Sequence, residues 1–255
     1  MGQLNWTNEV TEQGVTERSF QLVVAGENVP GVAWSPEGKD HWPTILIGHG
    51  GTQHKRTPNV LSLGRRLVRH LGYGAVAIDA PDHGDRRTES QESIEPNEMR
   101  RRVSAMTPEE FKAMADRNAA AVGEWRATLD ALEATPGFSG GPFGYWGVSM
   151  GTAIGLPFVA SDPRISVAVF GLAGVGNRPG GERLAEAARS VKIPVLFLFQ
   201  WDDELMEREH GMTLFDAFGS TEKTMHVNPG GHVQMPAHER DAVEAFYSRH
   251  IPAQR

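Results

Sequence analysis

The 255-residue sequence contains no cysteine. Disulfides, thiolate metal centres and a cysteine nucleophile are therefore excluded. No apolar run approaches the ~18–20 residues that a membrane-spanning helix needs. Basic charge is also in short supply. The 25 Lys and Arg stand against 32 Asp and Glu, a formal net charge of -7, which gives no electrostatic footprint for nucleic acid. The opening Met1-Gly2-Gln3-Leu4-Asn5-Trp6-Thr7 is polar and lacks the basic and apolar regions of a signal peptide. Trp6 also fails the myristoylation pattern. The expectation is a cytoplasmic protein that binds neither membrane nor nucleic acid. Internal repeats and low-complexity linkers are missing. Gly48-His49-Gly50-Gly51-Thr52-Gln53 has Gln53 where a dinucleotide fingerprint needs its third glycine, and there is no Gly-Lys-Ser/Thr phosphate loop. A nucleotide cofactor is not expected.

What is present is a regular alternation of short apolar runs and helical patterns. The length suits a single α/β domain over residues 1–255, large enough to bury a core without covalent staples. Phe20–Val24 and Val29–Trp34 flank Ala25-Gly26-Glu27-Asn28 as a hairpin. Thr44–Gly48, Gly74–Asp79, Phe143–Val148, Ser166–Gly171, Val195–Phe199 and Thr224–Val227 read as further strands, several of them continuously apolar as in a buried parallel sheet. Between them lie helical patterns over Val60–Val68, from Pro108 to about Glu133, over Glu182–Ala188 and Met212–Phe218, and a closing one over Glu239–Arg249. Thr107-Pro108-Glu109-Glu110 carries a capping-box start. Pro157 is expected to kink the helix that follows Val148. The reading is a mostly parallel sheet of about eight strands with helices on both faces, and such sheets place their sites at the strand C-termini. A polar, charge-rich stretch over about 82–107 leaves that side and is read as a lid-like insertion. Recognition of an anionic substrate group by one of its arginines is the weaker reading of that stretch.

The strand Phe143–Val148 runs into Gly147-Val148-Ser149-Met150-Gly151 and then into a small, apolar segment. A strand that turns sharply into a helix at a serine lifts its hydroxyl above the sheet, and the flanking glycines keep Cβ atoms out of the crowded turn. The same pattern occurs at Gly137-Phe138-Ser139-Gly140-Gly141, but after a helix end and before Pro142, which is loop punctuation. Context therefore selects Ser149 as the candidate nucleophile. A serine needs a base in hydrogen-bond reach and a carboxylate behind that base. After the elbow the required order is acid, then histidine. Val195–Phe199 is followed by Gln200-Trp201-Asp202-Asp203-Glu204-Leu205, and Thr224–Val227 by Asn228-Pro229-Gly230-Gly231-His232. Leu172-Ala173-Gly174, after the intervening strand, has no carboxylate. Asp203 and Asp202 compete as the acid, and His232 is the base. Oxyanion donors are expected from the N–H of Met150 and from the loop His49-Gly50-Gly51-Thr52. Thr52, Trp201 and Met206 are possible pocket residues. Glu204 is read as solvated, His226 as structural, and His210, His238 and His250 as surface groups on helices. His49 and His54 lack a usefully spaced third ligand, so no metal is expected.

Ile47-Gly48-His49-Gly50-Gly51, Gly147–Gly151, Asp202-Asp203-Glu204-Leu205 and Gly230-Gly231-His232 together resemble the α/β-hydrolase superfamily, in its serine-esterase and dienelactone-hydrolase-like branch. The resemblance runs from about residue 19 to the end. Dienelactone hydrolases proper carry cysteine at the elbow, where this chain carries Ser149. The resemblance implies Asp203 rather than Asp202 as the acid and Gly51 rather than Thr52 as the second oxyanion donor. It implies hydrolysis of small to medium carboxylic esters or lactones through an acyl-enzyme, with no cofactor, a small-molecule substrate, and a monomer or homodimer. A thioesterase or peptidase with the same triad is the alternative within enzymes. A non-catalytic ligand-binding protein on the same scaffold is the alternative outside them, and the three filled positions weigh against it.

Overall fold

The computed structural model describes residues 2–87, 98, 101–102, 105–176 and 180–251. The chain begins with an antiparallel meander, β1 (Asn5–Glu12), β2 (Val15–Val24) and β3 (Glu27–Pro36). Its two turns, Gln13-Gly14 and Ala25-Gly26, have positive φ at both residues, the geometry that follows strand twist in two-residue hairpins. Then come β4 (Thr44–Gly48), β5 (Gly74–Ile78), β6 (Phe143–Val148), β7 (Ile165–Gly171), β8 (Val195–Gln200) and β9 (Lys223–Asn228). The sheet order is β1-β2-β3-β5-β4-β6-β7-β8-β9. β3 joins β5 antiparallel, and the ladders from β5 through β9 are parallel.

The sheet thus has nine strands rather than about eight. The added one, β1, reads Asn-Trp-Thr-Asn-Glu-Val-Thr-Glu and is exposed along almost its whole length. It is an edge strand held by its ladder to β2 and by Trp6, which stands edge-on to Phe20 at 5.6 Å. Charged and amide side chains on an edge discourage pairing with other chains, and they also hide the strand from a hydrophobicity pattern.

Six helices complete the described fold: α1 (Pro58–Arg66), α2 (Pro108–Glu133), α3 (Met150–Ser161), α4 (Gly181–Ser190), α5 (Arg208–Ala217) and α6 (Glu239–His250). α1 has Pro at its start and continues into a wider turn, Leu67–Leu71, closed by left-handed Gly72. The α2 capping box is complete: Glu110 N–H donates to the Thr107 hydroxyl and Thr107 N–H to the Glu110 carboxylate. From there α2 runs unbroken for 26 residues. α5 begins four residues before the apolar pattern at Met212, because its first turn, Arg208-Glu209-His210-Gly211, has no apolar period. α1 and α6 cover one face of the sheet through Val60, Leu63, Val243 and Tyr247. α2 to α5 cover the other through Trp125, Leu129, Ile154, Phe158, Ala188 and Leu214. Covered on both faces, the parallel strands β4 to β8 are almost wholly apolar, and their polar chemistry gathers near their ends, whereas the edge strand β9 is more polar and more exposed.

Candidate active site

At the end of β6 the chain reverses at Ser149, with φ 57° and ψ −119°. A side chain rarely adopts this backbone, and here several contacts impose it. Ser149 N–H donates to Gly171 O at 2.8 Å, while Ser149 O accepts from Thr152 and Ala153 N–H at 2.9 and 3.1 Å. The Thr152 hydroxyl lies 2.8 Å from Gly147 O and 2.7 Å from Gly171 O, and it accepts Gly171 N–H at 3.0 Å. It therefore bolts the first turn of α3 to the ends of β6 and β7. The glycines are sterically required. A Cβ at Gly147 would stand 2.6 Å from Gly151 O, and one at Gly151 would overlap the Gly48 carbonyl. Ser139 lies in the turn before β6, at the opposite end of the strands, with its N–H on Thr135 O.

The three residues expected to act together do meet. The Ser149 hydroxyl is 2.9 Å from His232 Nε2, and His232 Nδ1 is 2.7 Å from Asp203 Oδ2. The Asp203 side chain is 1% exposed and that of His232 9%. Asp203 Oδ1 accepts the N–H groups of Leu205 at 2.8 Å and Met206 at 3.0 Å. Three donors thus converge on a buried carboxylate and fix its orientation. The Nδ1–H must point at Asp203, so Nε2 is left with the lone pair that accepts the serine proton. Asp202 is exposed, accepts Gly230 N–H at 3.3 Å and pairs with Arg208. It caps the turn rather than holding the histidine.

The loop after β4 faces the same point. Gly50, Gly51, Thr52 and Met150 line one cavity with Ser149 and His232. A Cβ on Gly51 would meet nothing within 4 Å, so its open side faces that space. The loop is shaped from beneath. Gln53 accepts Gly50 N–H at 3.2 Å, and Thr52 takes a left-handed φ of 64°. His49 is fully buried, accepts Ala80 N–H at Nε2 (3.0 Å) and, being neutral, donates from Nδ1 to Gly50 O (2.8 Å). Burial is the main reason its pKa falls to about 4. Further along, Lys55 is buried against Asp79, with Nζ 2.5 Å and its backbone N–H 2.9 Å from that carboxylate. Asp85 completes the cluster at 2.7 Å from Nζ, and this bond is the main reason its pKa is lowered. This ion pair fastens the loop after β4 to the end of β5.

The cavity measures about 1440 Å³ and is walled by Phe111, Met114 and Val122 of α2, Ile154 of α3, Leu184 of α4 and Met206. Thr52 and Met206 line the cavity. Trp201 does not. It stands in the turn just past the end of β8 and points to solvent, 42% exposed, with Arg208 stacked 4.4 Å from its ring. His210, read as a surface group, is half-buried and lines the cavity against Gly176. His250 is likewise inside, 9% exposed and 4.6 Å from the Phe246 ring. The spacing from Phe246 to His250 is one helical turn, a signal that could have placed it. His226 bonds the buried Glu239 at 3.0 Å, as a structural residue would. Glu204 is not a free surface charge: it accepts the backbone N–H of His232 at 2.9 Å.

Of the stretch 82–107, residues 88–97, 99–100 and 103–104 lie outside those described. Its beginning is anchored. Asp82 and His83 line the cavity, Asp85 joins Lys55, and Arg86 forms a bidentate pair with Glu124 of α2 at 2.7 and 2.8 Å. That pairing gives Arg86 a structural partner. Among the described residues, no three His, Asp or Glu side chains are grouped to hold a metal, and no helix is long and apolar enough to cross a membrane.

No protein-family model matches the chain, and no curated protein matches it. Solved structures do. A cold-adapted esterase from an Arctic intertidal metagenomic library, in a PEG-bound complex, is 37% identical over 97% of this chain and 99% of its own, with a TM-score of 0.81. Acetyl xylan esterase 1 from Thermoanaerobacterium sp. is 14% identical over 97% of this chain and 88% of its own, with a TM-score of 0.68. Dienelactone hydrolase from Anabaena variabilis is 17% identical over 93% and 97%, with a TM-score of 0.64. The last two likenesses show the fold alone.

Proposed function

Because this protein belongs to the α/β-hydrolase superfamily, among its esterases, and is a carboxylic ester hydrolase, we propose that Ser149, His232 and Asp203 carry its reaction. Ser149 Oγ attacks the ester carbonyl while His232 Nε2 takes its proton. The tetrahedral oxyanion is received by the N–H groups of Met150 and Gly51. His232 then gives the proton to the leaving alkoxide, and the alcohol departs from the acyl-enzyme. Water repeats the cycle: Nε2 accepts a water proton, hydroxide adds to the acyl carbon, and the proton returns to Ser149 Oγ as the acid leaves. Asp203 keeps Nδ1 protonated and stabilises the imidazolium at each stage. The observation that carries this reading is the continuous chain from Ser149 Oγ through His232 to Asp203, at 2.9 and 2.7 Å, opening on an apolar cavity.

The substrate class is a small to medium carboxylic ester. The walls from α2, α3 and α4 offer apolar surface for an acyl chain, and the reading includes no cofactor and no metal. Fluorophosphonate labelling with peptide mapping tests it, together with Ser149→Ala and Ser139→Ala on aryl esters of graded chain length. Label on Ser149, loss of at least about 10³-fold in kcat for Ser149→Ala, and full activity in Ser139→Ala are expected. Label on Ser139, or an active Ser149→Ala enzyme, refutes the assignment. Acyl-CoA and peptide arms of the same panel separate an esterase from a thioesterase or peptidase.

A further inference from the structure

The turn after β8 is bonded residue by residue to the loop after β9. Gln200 Nε2 reaches Gly231 O at 3.3 Å, and Trp201 N–H donates to Asn228 O at 2.7 Å. Asp202 exchanges backbone and side-chain bonds with Gly230 at 3.2 and 3.3 Å. Asp203 takes the His232 ring, and Glu204 takes the His232 backbone N–H at 2.9 Å through Oε2. Gly231 makes room for that last bond, since a Cβ there would stand 2.6 Å from the same carboxylate oxygen.

From this geometry we infer that Glu204 is a positioning residue for the reaction: two consecutive carboxylates grip one histidine, Asp203 by its ring and Glu204 by its main chain. The inference rests on the triad reading above. The ring alone is not a sufficient hold. A bond to Nδ1 sets the tilt of the imidazole, but the position of Nε2 over Ser149 also depends on where the His232 backbone sits. The loop that carries it, Pro229-Gly230-Gly231, contains two glycines and is conformationally permissive. Gly230 indeed sits at φ 108°. An acceptor on the next backbone N–H fixes the end of that loop, and the Glu204 side-chain oxygen is placed to be that acceptor. Glu204 does this without entering the reaction, because its contact is with the main chain of His232 and not with Ser149 or the ring.

The test is steady-state kinetics on an aryl ester for Glu204→Ala, Glu204→Gln and Glu204→Asp, with Ser149→Ala in the same series. Glutamine keeps an accepting oxygen at the same reach, and aspartate withdraws it by one methylene. Expected are a fall in kcat of roughly ten- to a hundredfold for Glu204→Ala with KM nearly unchanged, since small displacements of a catalytic group cost about that much. Glu204→Gln should restore kcat to within about threefold of the parent, and Glu204→Asp should fall between. Unchanged kcat in both Ala and Asp variants overturns the inference. So does a Gln variant as impaired as Ala, which would mean that charge and not the acceptor matters. A change confined to KM overturns it as well, because Glu204 would then contact substrate. If Glu204→Ala does not fold, the Gln and Asp pair decides by the same criteria. An active Ser149→Ala enzyme would instead remove the triad reading itself, and so tells the two failures apart.

Discussion

Mild acid should weaken this protein through His49, a histidine outside the Ser149–His232–Asp203 chain. The ring is fully buried at the base of the loop after β4, and its pKa lies near 4. Burial is the first cause, and the Ala80 N–H aimed at Nε2 adds a specific obstacle, because a proton there would face another donor. In the unfolded chain the same ring titrates near 6.5. Between about pH 6.5 and 4 the unfolded state therefore binds more protons than the native one, and stability falls as pH falls. His49's contribution is whole above that window and lost below it. At about 1.36 kcal/mol per pH unit, the full window removes about 3 kcal/mol. A typical domain has only about 5–15 kcal/mol to lose. The assay is urea unfolding at steps from pH 7.5 to 4.5 for the parent and for His49→Gln. Glutamine can accept the Ala80 N–H but does not titrate. Carboxylates common to both proteins cancel in the difference. The parent's stability relative to the variant should drop by about 2–3 kcal/mol across the series. A gap that stays constant with pH would refute the assignment of a neutral, acid-resistant His49.

Two further substitutions probe the frame around the site. Lys55→Met leaves the Asp79 carboxylate, 0% exposed, without its cation, and should cost about 3–5 kcal/mol in urea unfolding. Adding Asp79→Leu should recover part of that loss, because an uncompensated charge is worse than an apolar pair. Gly151→Ala would press a methyl group against the Gly48 carbonyl and within 3.2 Å of His49 O. Backbone on both sides cannot yield cheaply, so it should lower stability by at least about 1–3 kcal/mol and depress kcat in the aryl-ester assay.

Much of the fold could be read from the chain because its central strands are covered on both faces. Ile45, Val76, Val169 and Phe197 belong to apolar runs that no amphipathic helix would produce. β1 escaped for the converse reason: its stability comes from a ladder with β2, and ladder bonds leave no trace in side-chain hydrophobicity. The order serine, acid, histidine was readable, and the structure brings Ser149, Asp203 and His232 into hydrogen-bond distance. The polar supports were not. Lys55 meets Asp79 across 24 residues and Glu204 meets His232 across 28, and charged residues in loops carry no period that pairs them. Trp201 was misplaced because its type suggested a pocket wall, whereas it sits in the turn past β8, outside the cavity and under Arg208.

The strand order also places the three groups. Ser149, Asp203 and His232 follow β6, β8 and β9, so β7 lies between the strands that carry Ser149 and Asp203. Residues 172–176 contain no carboxylate. Instead β7 ends in Gly171-Leu172-Ala173-Gly174, with Leu172 turned to φ 51° and its N–H on Leu198 O. Leu172, Ala173 and Gly174 line the cavity, and a Cβ at Gly174 would stand 2.7 Å from the Met206 sulfur and 2.6 Å from the His210 backbone. The same strand end still works through its main chain, since Gly171 O receives the Ser149 N–H and Gly171 N–H binds Thr152. β7 thus supplies the floor of the site and leaves the side-chain chemistry to its neighbours. The small, bent end of β7 lines the cavity, and the next turn along the sheet bonds His232 through Asp203 and Glu204.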